Sequence, residues 1–143
     1  MAKAFFDKNT NQIYKICEDT DVNLLNLDVS SYTEKDLTDA QFLDAKKSLK
    51  FPTLSDGNLV MQDLAVGGIK DAERFTKNIS SKIQLIDAFL INNEGHSWHA
   101  GVTAYKEALQ AIDTSTITFP YEKTLEQYCE DNSITYYHPL QIP

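Results

Sequence analysis

Four groupings in this 143-residue chain combine residue types that could do chemistry. Asp7, Asn9, Asn11 and Glu18 set side-chain oxygens at alternate positions ahead of a distal carboxylate, the order in which a calcium loop surrounds its ion. Such a loop needs glycine at its sharp turn, where this chain has Gln12, and an entering helix for which the six preceding residues leave no room. A polar hairpin turn explains the four residues without a metal. His96 and His99 have the HxxH spacing of a zinc pair, with Glu94 and Cys129 as further ligands, but nothing in the sequence fixes a third or fourth ligand. They read as a polar loop residue and a neighbour of an apolar helix face. Cys129 with His138 could pair a thiol nucleophile with a base, yet no glycine-flanked elbow or orienting partner accompanies them, and a core cysteine suffices. Gly67-Gly68 before a helix could turn backbone N–H groups toward an anion. Without a further glycine or a Lys-Ser/Thr pair it is a helix-opening turn and no phosphate loop. The sequence therefore gives no catalytic, cofactor-binding or metal-ligating residue, and it reads as a protein that is not an enzyme.

The elements that would carry these residues follow from hydrophobic period. Ala4–Phe6 and Gln12–Cys17 flank a turn-rich segment and predict an antiparallel hairpin. After a polar stretch, Leu24, Leu25, Leu27 and Val29 fit either a short strand or a loop packed over the sheet. Tyr32–Leu37 predicts a further strand, and Thr38 with Gln41 a capping box opening a short helix through Phe42 and Leu43. Asp56-Gly57, between Phe51-Pro52 and Leu59-Val60-Met61, favours a second tight hairpin. From Gly67 the period lengthens. Ile69, Ala72, Phe75, Ile79, Ile83, Ile86 and Leu90 share one face of a long helix. Asn92–Gly95 breaks it, and Ser97 is placed to cap a second helix whose stripe runs Trp98, Val102, Tyr105, Leu109 and Ile112 toward the stop at Phe119-Pro120. Trp98, the only tryptophan, is expected to dock on the long helix as a core residue. Thr124 with Gln127 repeats the capping box for a short third helix, and an extended tail follows. The expected fold is α+β: one domain, 1–143, in which antiparallel hairpins of the mainly β part, 1–66, pack against an antiparallel helix pair in the mainly α part, 67–143.

Charge and composition narrow the function classes. Thirteen basic against 21 acidic residues give a net charge of -8, spread along the chain with no basic stripe, which disfavours nucleic acid and anionic membrane as partners. No apolar run reaches the length of a membrane span, and Asp7 halts the first apolar segment before a signal-peptide core can form. Cys17 and Cys129 make no disulfide framework and read as buried thiols in a reducing compartment. Asn78-Ile79-Ser80 is formally a glycosylation sequon, but it falls inside the predicted long helix.

Trp98, Tyr105, Ala108-Leu109, Ile112, the break at Asp113 and Phe119-Pro120 together resemble the carboxyl-terminal pattern of tail-assembly and tail-fibre-assembly chaperones of tailed phages. The run Phe6–Tyr14, Leu125-Glu126-Gln127-Tyr128 and the ending His138–Pro143 are similar to small proteins of large contractile-tailed marine phages. The resemblance implies a phage accessory protein that binds another phage protein, as an assembly chaperone or a small virion component, in the host cytoplasm during infection or in the virion. Tyr136, Tyr137, Leu140 and Ile142 are the candidate partner-binding residues, and the alternative is that this tail packs on its own sheet. The -8 charge motivates a different role, an acidic host-takeover protein occupying a basic site on a bacterial protein.

Overall fold

β1 (Ala2–Asp7) is the central strand of a three-stranded antiparallel sheet in a computed structural model that describes residues 1–64 and 68–143. Its neighbours are β2 (Ile13–Glu18) and β3 (Tyr32–Leu37), so Ala4 lies opposite both Ile16 and Lys35. Ala4, Phe5 and Phe6 run on without polar alternation and are all fully buried, so β1 is covered on both faces along this run as well as paired on both edges. A register shift between Phe5 and Phe6 leaves Tyr14 as an extra residue on β2, and its ring stacks on Tyr32 with centroids 4.8 Å apart. β3 leads into α1 (Asp39–Lys46), opened by the capping box of Thr38 and Gln41 and packed on β1 and β3. β4 (Lys50–Ser55) and β5 (Asn58–Asp63) form a separate two-stranded sheet. Asp56 and Gly57 both take positive φ at its turn, the conformation that a two-residue hairpin of this twist requires.

α2 (Ala72–Asn92), α3 (His99–Gln110) and α4 (Leu125–Asp131) build the second half. Asp71 caps α2 by accepting a hydrogen bond from the Arg74 amide. The long helix buries Phe75, Ile79, Ile86 and Phe89, while α3 buries Val102, Tyr105 and Leu109. An ion pair between Asp87 of α2 and Lys106 of α3 links the two helices. The contacts divide the chain into two units, Met1–Leu64 with the terminal Pro143, and Ala65–Ile142, each with its own buried apolar residues. The protein is thus α+β, with antiparallel sheets first and helices after.

Several local expectations need correction. Asp19–Leu25 and Val29–Ser31 are 3₁₀ turns, neither strand nor plain loop; Val22 and Leu25 are three residues apart, which aligns them on one side of a 3₁₀ helix, and Leu25 is buried. Ile69 is outside α2 because its backbone pairs reciprocally with Tyr121, at 2.6 and 2.7 Å. Ser97 does not cap α3: Trp98 occupies the cap position with no side-chain bond and is only half-buried. α3 ends at Gln110, well before Phe119-Pro120 and just ahead of the break that the sequence places at Asp113-Thr114-Ser115, where Asp113 caps a 3₁₀ turn over Thr114–Thr116. Gly67 lies outside the described residues, so the Gly67-Gly68 turn is represented only by Gly68, whose φ is +75°.

Candidate interaction surface

The chemistry-bearing residues are engaged locally. Oδ1 of Asp7 accepts hydrogen bonds from the amides of Asn9 (2.7 Å) and Thr10 (3.0 Å), and Asn11 at φ +59° completes a polar turn between β1 and β2. Glu18 is exposed at the far end of β2. His96 precedes α3 rather than sharing a helical face with His99; its Nδ1 accepts from the Trp98 amide, and its ring meets Phe89 edge-on with centroids 5.2 Å apart. Among the described residues no three His, Cys, Asp or Glu side chains converge as a metal set. Burial pushes the Cys129 thiol up to about 12, and the nearby Glu126 carboxylate adds to the effect. Burial, followed by the Lys82 charge, pushes His138 down to about 4. A thiol held protonated and a histidine held neutral are the reverse of what an activated nucleophile and its base require. Cys17 is likewise buried, its thiol pushed up to about 12 by burial and then by Asp21.

The helical unit also buries polar groups that the sequence does not announce. Glu126 is buried and forms an ion pair with Lys82 of α2, tying α4 to the long helix. The hydroxyl of Tyr105, on a residue only 1% exposed, is buried with no hydrogen-bond partner among the described residues, and burial raises its pKa. These pairings depend on which helix faces meet, so no spacing along the chain could reveal them.

The tail joins this core. Tyr136 and Ile142, at 5% and 4% exposure, belong to the apolar cluster of the helices and offer no surface to a partner. The Tyr136 hydroxyl donates to Glu130. Tyr137 is half-buried, with its ring 5.4 Å from Trp98 and its hydroxyl over Gly101 of α3, where the missing Cβ leaves room for it. Leu140 is half-buried in a turn clasped by His138 and Gln141: the His138 amide donates to the Gln141 side chain, the Gln141 amide donates to the His138 carbonyl, and the Leu140 amide donates to His138 Nδ1. Tyr136 and Ile142 are thus packed into the chain's own core, but among helix residues and not on a sheet as the sequence alternative has it.

An accessible apolar feature lies instead on the helix pair. Asp87, Leu90 and Ile91 of α2, Glu94 just beyond its end, and His99 and Lys106 of α3 line a recess of about 600 Å³. Ile91 is 75% exposed, while Leu90 is partly buried against the core. The Asp87 carboxylate and Lys106 ammonium close one end at 2.5 Å. Sequence reasoning placed Leu90 in the core stripe and passed over Ile91; the signal available was an isoleucine lying off that stripe. The recess is lined by two adjacent apolar side chains, Leu90 and Ile91, together with charged and polar ones, which suits contact with another macromolecule better than bond-making chemistry. Comparison with protein-family models, with curated proteins and with solved structures finds no match to this chain.

Proposed function

We propose that the chain is a non-enzymatic phage accessory protein that binds another phage protein, either as a tail or tail-fibre assembly chaperone or as a small virion component. The observation that carries the binding half is Ile91, an isoleucine three-quarters exposed in the lining of a helix-pair recess. Fully covering such a side chain contributes about 1.5–3 kcal/mol, so an apolar residue in this position is a natural anchor for a partner. The phage half rests on the resemblance of Trp98–Pro120 and of the chain's two ends to phage proteins.

Replacing Ile91 by aspartate tests the reading. An exposed helix position tolerates the change within about 0.5–1 kcal/mol, so the melting temperature should stay close to that of the parent. Capture of the phage partner from infected-cell lysate should be lost; unchanged capture would remove this surface from consideration. Mass spectrometry of purified virions separates the two roles, since a virion component is present at a defined copy number and a chaperone is absent. The host-takeover alternative predicts a complex that dissolves as salt rises, whereas an apolar contact at Ile91 persists.

A further inference from the structure

We infer that the recess between α2 and α3 takes a partner segment in which an apolar side chain is followed, about one helical turn away, by a lysine or arginine. The inference rests on the protein-binding reading above and specifies the chemistry of the partner. The apolar half of the requirement comes from the apolar lining. Leu90 and Ile91 are adjacent, Ile91 stands out into solvent, and the recess has room for a short run of side chains beside them.

The basic half comes from the charges of the same lining. Of the two carboxylates, Asp87 is already engaged by Lys106, which neutralises both at that end. Glu94 at the other end is exposed and has no partner among the described residues. It stands just beyond the C-terminus of α2, a 21-residue helix with no basic residue in its last turn. The terminal carbonyls of a helix carry a partial negative charge equivalent to roughly half an electron, and a cation is favoured there. Asn93 contributes only a side-chain amide to that end, donating to the Phe89 carbonyl. Of the basic groups lining the recess, Lys106 is taken by Asp87 and the other is the His99 imidazole, so Glu94 and the helix terminus have no lysine or arginine of their own among the described lining residues, while the opposite end is self-neutralised. A partner that seats an apolar residue over Ile91 and directs a lysine or arginine toward Glu94 meets both conditions. A second acidic chain such as this one would be repelled.

The test uses the full chain and synthetic helical peptides of about fifteen residues, long enough to form a helix, that differ only in one position. Each carries two leucines four residues apart, followed by lysine, glutamine or glutamate at the next turn. Binding is measured by calorimetry at low and moderate salt. The lysine peptide should bind about tenfold more tightly than the glutamate peptide, with the preference shrinking as salt rises. Glu94→Lys should invert the order, and Ile91→Asp should abolish binding of all three while both variants keep the parent melting temperature. Equal binding of the three peptides, an order that survives Glu94→Lys, or no binding by any peptide would overturn the inference. The phage partner distinguishes this failure from that of the underlying reading. If Ile91→Asp loses the partner and Glu94→Lys retains it, the basic flank is wrong and protein binding at the recess stands. If Ile91→Asp retains it, both fall.

Discussion

His138 is kept neutral by its surroundings: burial disfavours the imidazolium, and the Lys82 ammonium opposes it further. Its folded pKa, pushed down to about 4, lies below the value of about 6.5 expected in an unfolded chain. Between those values the unfolded chain binds a proton that the folded chain does not. The stability contributed by the neutral ring is therefore complete above about pH 6.5 and lost as pH falls toward 4. Urea melts at pH 7, 5.5 and 4 should show a loss on the order of 2–3 kcal/mol across that window, and His138→Gln should flatten it. Asp28, Asp36 and Asp113 have pKa values lowered chiefly by side-chain hydrogen bonds, from Ser30, Lys3 and Ser115, so their contribution disappears only below about pH 4 and separates from that of the histidine. Tyr105 makes the opposite kind of prediction. Its buried hydroxyl finds no hydrogen-bond partner among the described residues, a cost of about 1–3 kcal/mol in a folded structure. Tyr105→Phe should raise the melting temperature; a lower one would mean that the hydroxyl has a partner in solution. Neither residue's role was legible beforehand. Sequence spacing paired Cys129 with His138 as possible chemistry, but the sign of each pKa depends on burial, which is decided by residues far away in the chain.

At the scale of elements, one contact that docks the tail on α3 is Tyr137 over Gly101. A Cβ at position 101 would meet the Tyr137 hydroxyl and force the ring to shift. Glycine in a helix interior otherwise costs roughly 0.5–1 kcal/mol relative to alanine, so the two effects oppose each other. Gly101→Ala alone should be neutral or destabilising. In a Tyr137→Phe background, where the obstructing oxygen is gone, the same substitution should stabilise by up to about 1 kcal/mol. A double-mutant cycle in urea reads the difference directly, and an unchanged effect of Gly101→Ala in both backgrounds would show that Tyr137 does not rest there. What could be read from sequence at this scale was local. The capping boxes of Thr38 with Gln41 and Thr124 with Gln127 form as their spacing predicts, because each closes within four residues. The Asp56-Gly57 hairpin and the run of Tyr32–Leu37 were legible for the same reason. The tail was not. Tyr136 and Ile142 bear aromatic and aliphatic side chains that suit a surface or a core equally, and only the geometry of α2, α3 and α4 decides between them.

Across the whole molecule, the change of hydrophobic period near Gly67 marks a real division. The contacts separate into units at Leu64 and Ala65. Each unit also carries the same charge, with seven basic against eleven acidic residues in Met1–Leu64 and six against ten in the remainder. No one unit is therefore the acidic half that a purely electrostatic partner would select. The sequence expectation was a single domain, since 143 residues are comfortable for one core, and composition has no means of distinguishing one core from two small ones. Phe6 and Tyr105 offer the discriminating experiment, each being fully buried in its own unit. Truncating either to alanine should cost about 3–5 kcal/mol. If the units are separate cores, hydrogen exchange in Phe6→Ala should lose protection in β1, β2 and β3 while α2, α3 and α4 stay protected, and Tyr105→Ala should give the converse. The stability losses in the double variant should then add within about 0.5 kcal/mol. Should either substitution expose every slow amide together, with a coupling well above that figure, the two clusters fold as one cooperative domain and the division of contacts has no thermodynamic counterpart.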